Sequence, residues 1–145
     1  ILRVRDPLPA LRAGVLPPAQ VERFTTVSLT VPGPGGAPVA EGISDLCALP
    51  DGSLALLANS PKGAPQDGGG ALYHLPPGGP VRLVRRFPGL KPEGVTLDEQ
   101  GRGLVLFFDT DRRTPLWLRQ PIPVAPRSRS APPRPAPGET LRGDR

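Results

Sequence analysis

The sequence predicts an all-β, antiparallel fold, and three observations carry that prediction. Short apolar segments alternate with polar residues at the two-residue period of a strand with one face buried. Gly and Pro, 18 and 23 of the 145 residues, cluster between those segments as turn punctuation. No amphipathic helical period separates one segment from the next. With 37% hydrophobic and 21% charged residues the chain is too apolar to be disordered throughout. No uninterrupted apolar run approaches the roughly 20 residues that a membrane-spanning helix needs, so no such span is expected.

Taken in order, residues 1–22 form a Pro-rich N-terminal segment. Pro7, Pro9, Pro17 and Pro18 interrupt any helical period of Leu2, Leu8, Leu11 and Leu16, so no helix is expected there. Residues 23–122 form the strand-bearing region. In Phe24–Val31, Val27, Leu29 and Val31 alternate with Thr26, Ser28 and Thr30, which predicts a strand ended by Pro32-Gly33-Pro34-Gly35-Gly36. Ile43–Leu49 and Ser53–Ala58 read as a hairpin closed by Pro50-Asp51-Gly52. Ala71–Leu75 and Val81–Phe87 read as a second hairpin, across Pro76-Pro77-Gly78-Gly79. Glu93–Leu97 and Leu104–Phe108 turn at Gln100-Gly101, and Leu116–Arg119 is the last strand. Residues 123–145, rich in Pro, Arg, Ser and Ala without periodicity, are expected to be a disordered basic tail.

An internal repeat organises these strands. Glu41-Gly42-Ile43 and Glu93-Gly94-Val95 lie 52 residues apart, and each opens a strand followed by a Gly turn and a second apolar strand. A repeat of about 40–50 residues with about four strands per unit is the sign of propeller blades. The fold expected is therefore about two antiparallel four-stranded blades of an incomplete β-propeller, followed by the tail. Propellers close with about four blades or more, so the sheet edges would stay open unless remaining blades or a second chain cover them.

The net charge of +5 raises nucleic acid as a partner, but residues 124–145 alone contribute five Arg against Glu139 and Asp144. The rest has an ordinary charge balance and no aromatic residue is interleaved with the Arg-rich tail, so no nucleic-acid binding is expected. The lone Cys47 cannot form an intrachain disulfide and is expected to be a small buried hydrophobe. The sequence contains no Met, which suggests a fragment, a processed form or the product of an imperfect gene model, and no secretory signal is visible at its start.

The constellation that points to chemistry is acidic. Glu41 and Glu93 open the innermost strands, Asp45 follows within the first, and Asp109 and Asp111 end Leu104–Phe108. At innermost-strand ends such carboxylates could line a central channel and hold a hard divalent cation such as calcium. The competing reading makes them turn and strand-end residues that accept hydrogen bonds from loop amides. His74, the only histidine, is expected at a surface position of its strand, and the sole Trp117 in packing. Asp67-Gly68-Gly69-Gly70 lacks the Lys-Ser/Thr ending and following helix of a phosphate loop. Arg142-Gly143-Asp144 reads as chance in an Arg- and Gly-rich tail.

Residues 42–58, with Ser44-Asp45-Leu46-Cys47-Ala48-Leu49-Pro50-Asp51-Gly52 at their centre, resemble a segment of a bacterial family of uncharacterised β-propeller proteins. Lys91-Pro92-Glu93-Gly94 and Asp109-Thr110-Asp111 resemble its later Lys-x-Glu-Gly and Asp-x-Asp segments, so the resemblance covers roughly residues 40–120. The wider similarity is to esterase-like phytase and gluconolactonase-type propellers. The resemblance implies the C-terminal part of a propeller, and in the enzymes of that wider group channel carboxylates hold a divalent metal. Here only Glu41, Asp45, Glu93, Asp109 and Asp111 could correspond.

No nucleophile–base pair accompanies the repeat, so the expected function is a binding or scaffold module. The alternative is a metal-dependent hydrolase of phosphoesters or lactones, with Glu93 and Asp109 among its ligands. A third reading takes the open sheet edges to make the chain an aggregation-prone relic.

Overall fold

A computed structural model of the chain describes residues 1–61, 69–110 and 115–123. Its core is a four-stranded antiparallel sheet and a three-stranded one, each meandering in chain order. The first comprises β5 (Gly42–Ala48), β6 (Leu54–Asn59), β7 (Gly70–Leu75) and β8 (Arg82–Phe87). The second comprises β9 (Lys91–Leu97), β10 (Gly103–Asp109) and β11 (Leu116–Pro121). All seven strands fall where alternation and turn residues place them, to within a residue or two at the ends. The turns have the expected chemistry: Gly52 and Gly101 adopt φ of 81° and 65°, which a side chain would strain.

The sheets stack face to face. Leu49, Ala55, Leu57, Leu72 and Phe87 from the first pack on Val95, Leu104, Leu106 and Phe108 of the second. Phe87 meets Phe108 edge to face at 5.1 Å, a geometry that the ring quadrupoles favour. The other face of the first sheet, carrying Leu54, Leu56, Ala58, Ala71 and Tyr73, is covered by Leu29, Val27 and Ile1. Strands β6 and β7 are thus buried on both faces, which explains the unbroken apolar run Leu54-Ala55-Leu56-Leu57-Ala58.

The N-terminal layer departs from the sequence expectation. Strand β1 (Leu2–Val4) pairs with β2 (Val21–Arg23), and between them lies a helix, α1 (Pro7–Ala13). The prolines permit it because Pro7 and Pro9 fall in the first turn, where the backbone N–H groups have no helical acceptor to lose. The expected strand Phe24–Val31 is reduced to β3 (Thr30–Pro32), paired with β4 (Pro38–Ala40). The alternation does read the sidedness, since Leu29 and Val31 are buried. The partner strand is only three residues long, however, so the upstream residues lie over the sheet without a ladder. Residues 124–145, the expected tail apart from Pro123, lie outside the described residues.

Candidate functional site

Polar chemistry concentrates at the Glu41 end of the four-stranded sheet. Glu41 directly precedes β5, and its amide donates to the Leu29 carbonyl at 2.9 Å, tying it to the N-terminal layer. Its carboxylate is fully buried and each oxygen is engaged. Oε1 accepts from Arg86 Nη1 at 2.9 Å and from Ser60 Oγ at 3.2 Å, while Oε2 accepts a short hydrogen bond from the Tyr73 hydroxyl. Arg86 Nη2 also donates to the Tyr73 oxygen at 3.2 Å, closing a Glu–Tyr–Arg triangle.

Strand register explains how the triangle assembles. Arg86 lies opposite Ala71, and Tyr73 is two residues further along β7, so both side chains emerge on the face turned to the N-terminal layer. Burial, together with the adjacent Glu41 carboxylate, pushes the Tyr73 phenol up to about 12. Burial works against the Arg86 charge, but the bond to Glu41 and the Tyr73 oxygen outweigh it and raise its pKa. Such a phenol is a poor nucleophile at neutral pH, so the triangle suits structural pairing rather than covalent chemistry.

Asp45 and Glu93 have partners of their own, apart from those of Glu41. Asp45 lies between the first strands of the two sheets. Its Oδ2 accepts from the Val95 amide at 2.8 Å across the sheets, and Oδ1 from the Leu46 amide at 2.8 Å. The register jumps from Ile43 to Asp45, leaving Ser44 as a bulge residue that donates to the Pro92 carbonyl at 2.7 Å. Glu93 occupies the matching irregularity in β9 and accepts from Asn59 Nδ2 at 3.0 Å. Asp109 ends β10 opposite Lys91, and Asp111 lies outside the described residues. Among the described residues no group of three or more Asp, Glu, His or Cys is placed to hold a metal ion. Two carboxylates outside the acidic constellation, Asp51 and Asp98, sit in turns and accept hydrogen bonds there. Asp51 is held below the usual carboxylate range by bonds from the Ser53 hydroxyl and amide, and Asp98 by the Arg102 amide.

No family model, curated protein or solved structure matches the chain. Two single-residue expectations are corrected by the packing. His74 is 3% exposed rather than superficial, because it sits in β7, whose faces are both covered. Its Nε2 finds no hydrogen-bond partner among the described residues. Trp117 is 59% exposed, on the outer face of the three-stranded sheet. Cys47 is partly buried against the inter-sheet core, and that burial raises its thiol pKa. Tyr73, Arg86, Ser60 and Asn59 were not legible as partners, since they meet acids 19 to 45 positions away. One signal was present: a tyrosine inside an apolar run needs a partner for its hydroxyl.

Proposed function

We propose that the chain contributes consecutive blades of a propeller-type protein and acts as a binding or scaffold module rather than an enzyme. The observation that carries this reading is the clasp between the leading strands, Asp45 to the Val95 amide and Ser44 to the Pro92 carbonyl. Those bonds, with the apolar layer beside them, hold two meandering sheets face to face, a packing that supports the blade reading. Asp45 and Glu93 accept hydrogen bonds across the two sheets and Glu41 accepts them from Tyr73, Arg86 and Ser60 within its own, a structural use of these carboxylates that favours a scaffold over acid–base catalysis.

The hydrolase reading would require Glu93 and Asp109 to share a divalent ion with further ligands. The experiment assays the protein against a phosphomonoester and a lactone with calcium or with chelator, alongside thermal melts. We expect no turnover above buffer and a melting temperature that calcium leaves unchanged. Calcium-dependent turnover that Glu93→Gln abolishes would replace the scaffold reading with the hydrolase one.

A further inference from the structure

The two core sheets end in β5 and β8 and in β9 and β11, and all of these outer strands but one carry a bulge. Ser44 is the extra residue of β5, Val84 of β8 and Glu93 of β9. Bulges of this kind twist an edge away from further pairing. Strand β11 alone keeps an unbroken register, from Leu116 opposite Phe108 to Pro121 opposite Gly103. Among the described residues its other edge has no strand beside it, and its sheet is one strand narrower than the first.

The charge left unpaired at that margin has a single sign. Arg82 and Arg85 of β8 lie opposite His74 and Leu72, so both emerge towards the second sheet, and both are exposed. Arg85 Nη1 reaches Gln120 Oε1 of β11 at 3.2 Å, which puts its charge at the margin of the three-stranded sheet. Neither guanidinium has an acidic partner among the described residues, whereas Arg86 is paired with Glu41 and Arg119 with Asp98.

From these features we infer that β11 is a strand-addition edge, which takes up an extended acidic segment of a partner protein as the fourth strand of its sheet. Strand addition draws its affinity from the main-chain ladder, so it needs a regular edge and little apolar area. Alternate side chains of the added strand face the first sheet, where Glu or Asp meets Arg85 and Arg82. The others lie beside Trp117 on the outer face, where an aliphatic side chain pairs with the indole. At the 52-residue spacing from β8 the chain itself reads Arg134-Pro135-Ala136-Pro137. Those prolines have no N–H to give a ladder, and the arginine repeats the sign already present, so a segment of a partner fits the edge better.

This inference rests on the scaffold reading, and the experiment separates the two. The probe is a capped peptide, Thr-Glu-Val-Glu-Val-Glu-Thr, titrated from about 1 µM to 1 mM into the full chain while emission of the sole Trp is followed. We expect saturable binding with a blue shift, at least about tenfold tighter than that of the same peptide with Lys for Glu. A block isomer, Thr-Glu-Glu-Glu-Val-Val-Thr, has the same charge without the alternation and is expected to bind at least about tenfold more weakly. Arg85→Glu is expected to reverse the preference between the Glu and Lys peptides, and Arg82→Glu, at an exposed position, serves if that variant does not fold. No binding up to about 1 mM overturns the inference, as does equal binding of the alternating peptide and its isomer, or a preference that neither charge reversal moves. Each of those outcomes leaves the scaffold reading standing, whereas calcium-dependent turnover replaces that reading whatever the peptides do.

Discussion

Tyr73 is the only tyrosine in the chain, so its ionisation can be followed by ultraviolet absorbance without overlap. Its phenol is held up to about 12 in the fold and returns to about 10 when the chain unfolds. The folded state therefore keeps a proton that the unfolded chain has released. That stabilisation is complete below pH 10 and is lost as the pH rises from about 10 to about 12, in total roughly 2 to 3 kcal/mol. Denaturant melts across that interval should show the decline, and the absorbance midpoint should lie near 12. Glu41→Gln removes the carboxylate that helps to raise it and should lower the midpoint towards 10, with a stability loss of about 1–3 kcal/mol. A midpoint near 10 in the unaltered protein would show that the phenol is not buried against Glu41.

At the scale of strands, Gly42 and Gly70 flank Asn59 in one row across the sheet and make opposite demands. A Cβ on Gly70 would stand 2.5 Å from the Ala58 carbonyl and 2.7 Å from Asn59 Oδ1, with Pro92 pressing from the second sheet. A Cβ on Gly42 meets nothing within 4 Å. Gly70→Ala should cost about 1–3 kcal/mol in chemical denaturation, while Gly42→Ala should be nearly neutral. The strands themselves were legible because period and turn chemistry are local, as in Leu54–Asn59 and the turn at Gly52. The helix Pro7–Ala13 was not, because the position of a proline within a helix decides its effect and that position is known only once the helix start is. The burial of His74 was hidden for a different reason. A polar residue in a strand reads as superficial unless one knows that both sheet faces are covered.

At the scale of the molecule, the candidate site was half legible. The repeat drew attention to Glu41, Asp45 and Glu93, and each is engaged in holding layers together. It could not show that they lie in separate places, because strand parity and the bulge at Ser44 aim Asp45 at the second sheet while Glu41 meets Tyr73 and Arg86. The strand order also bears on how the chain could be divided. Each sheet is complete in sequence, and the link from Phe87 to Lys91 carries no ladder between them. Cutting there severs one covalent connection and no strand pairing. Fragments 1–87 and 88–145, mixed after separate expression, should reassemble through the apolar layer and the Asp45 clasp and regain one cooperative melt. Asp45→Ala should impair that recovery more than it impairs the intact chain, since an intermolecular union loses the high effective concentration that the linker supplies. The sheets would then behave as the two halves of a complementation reporter.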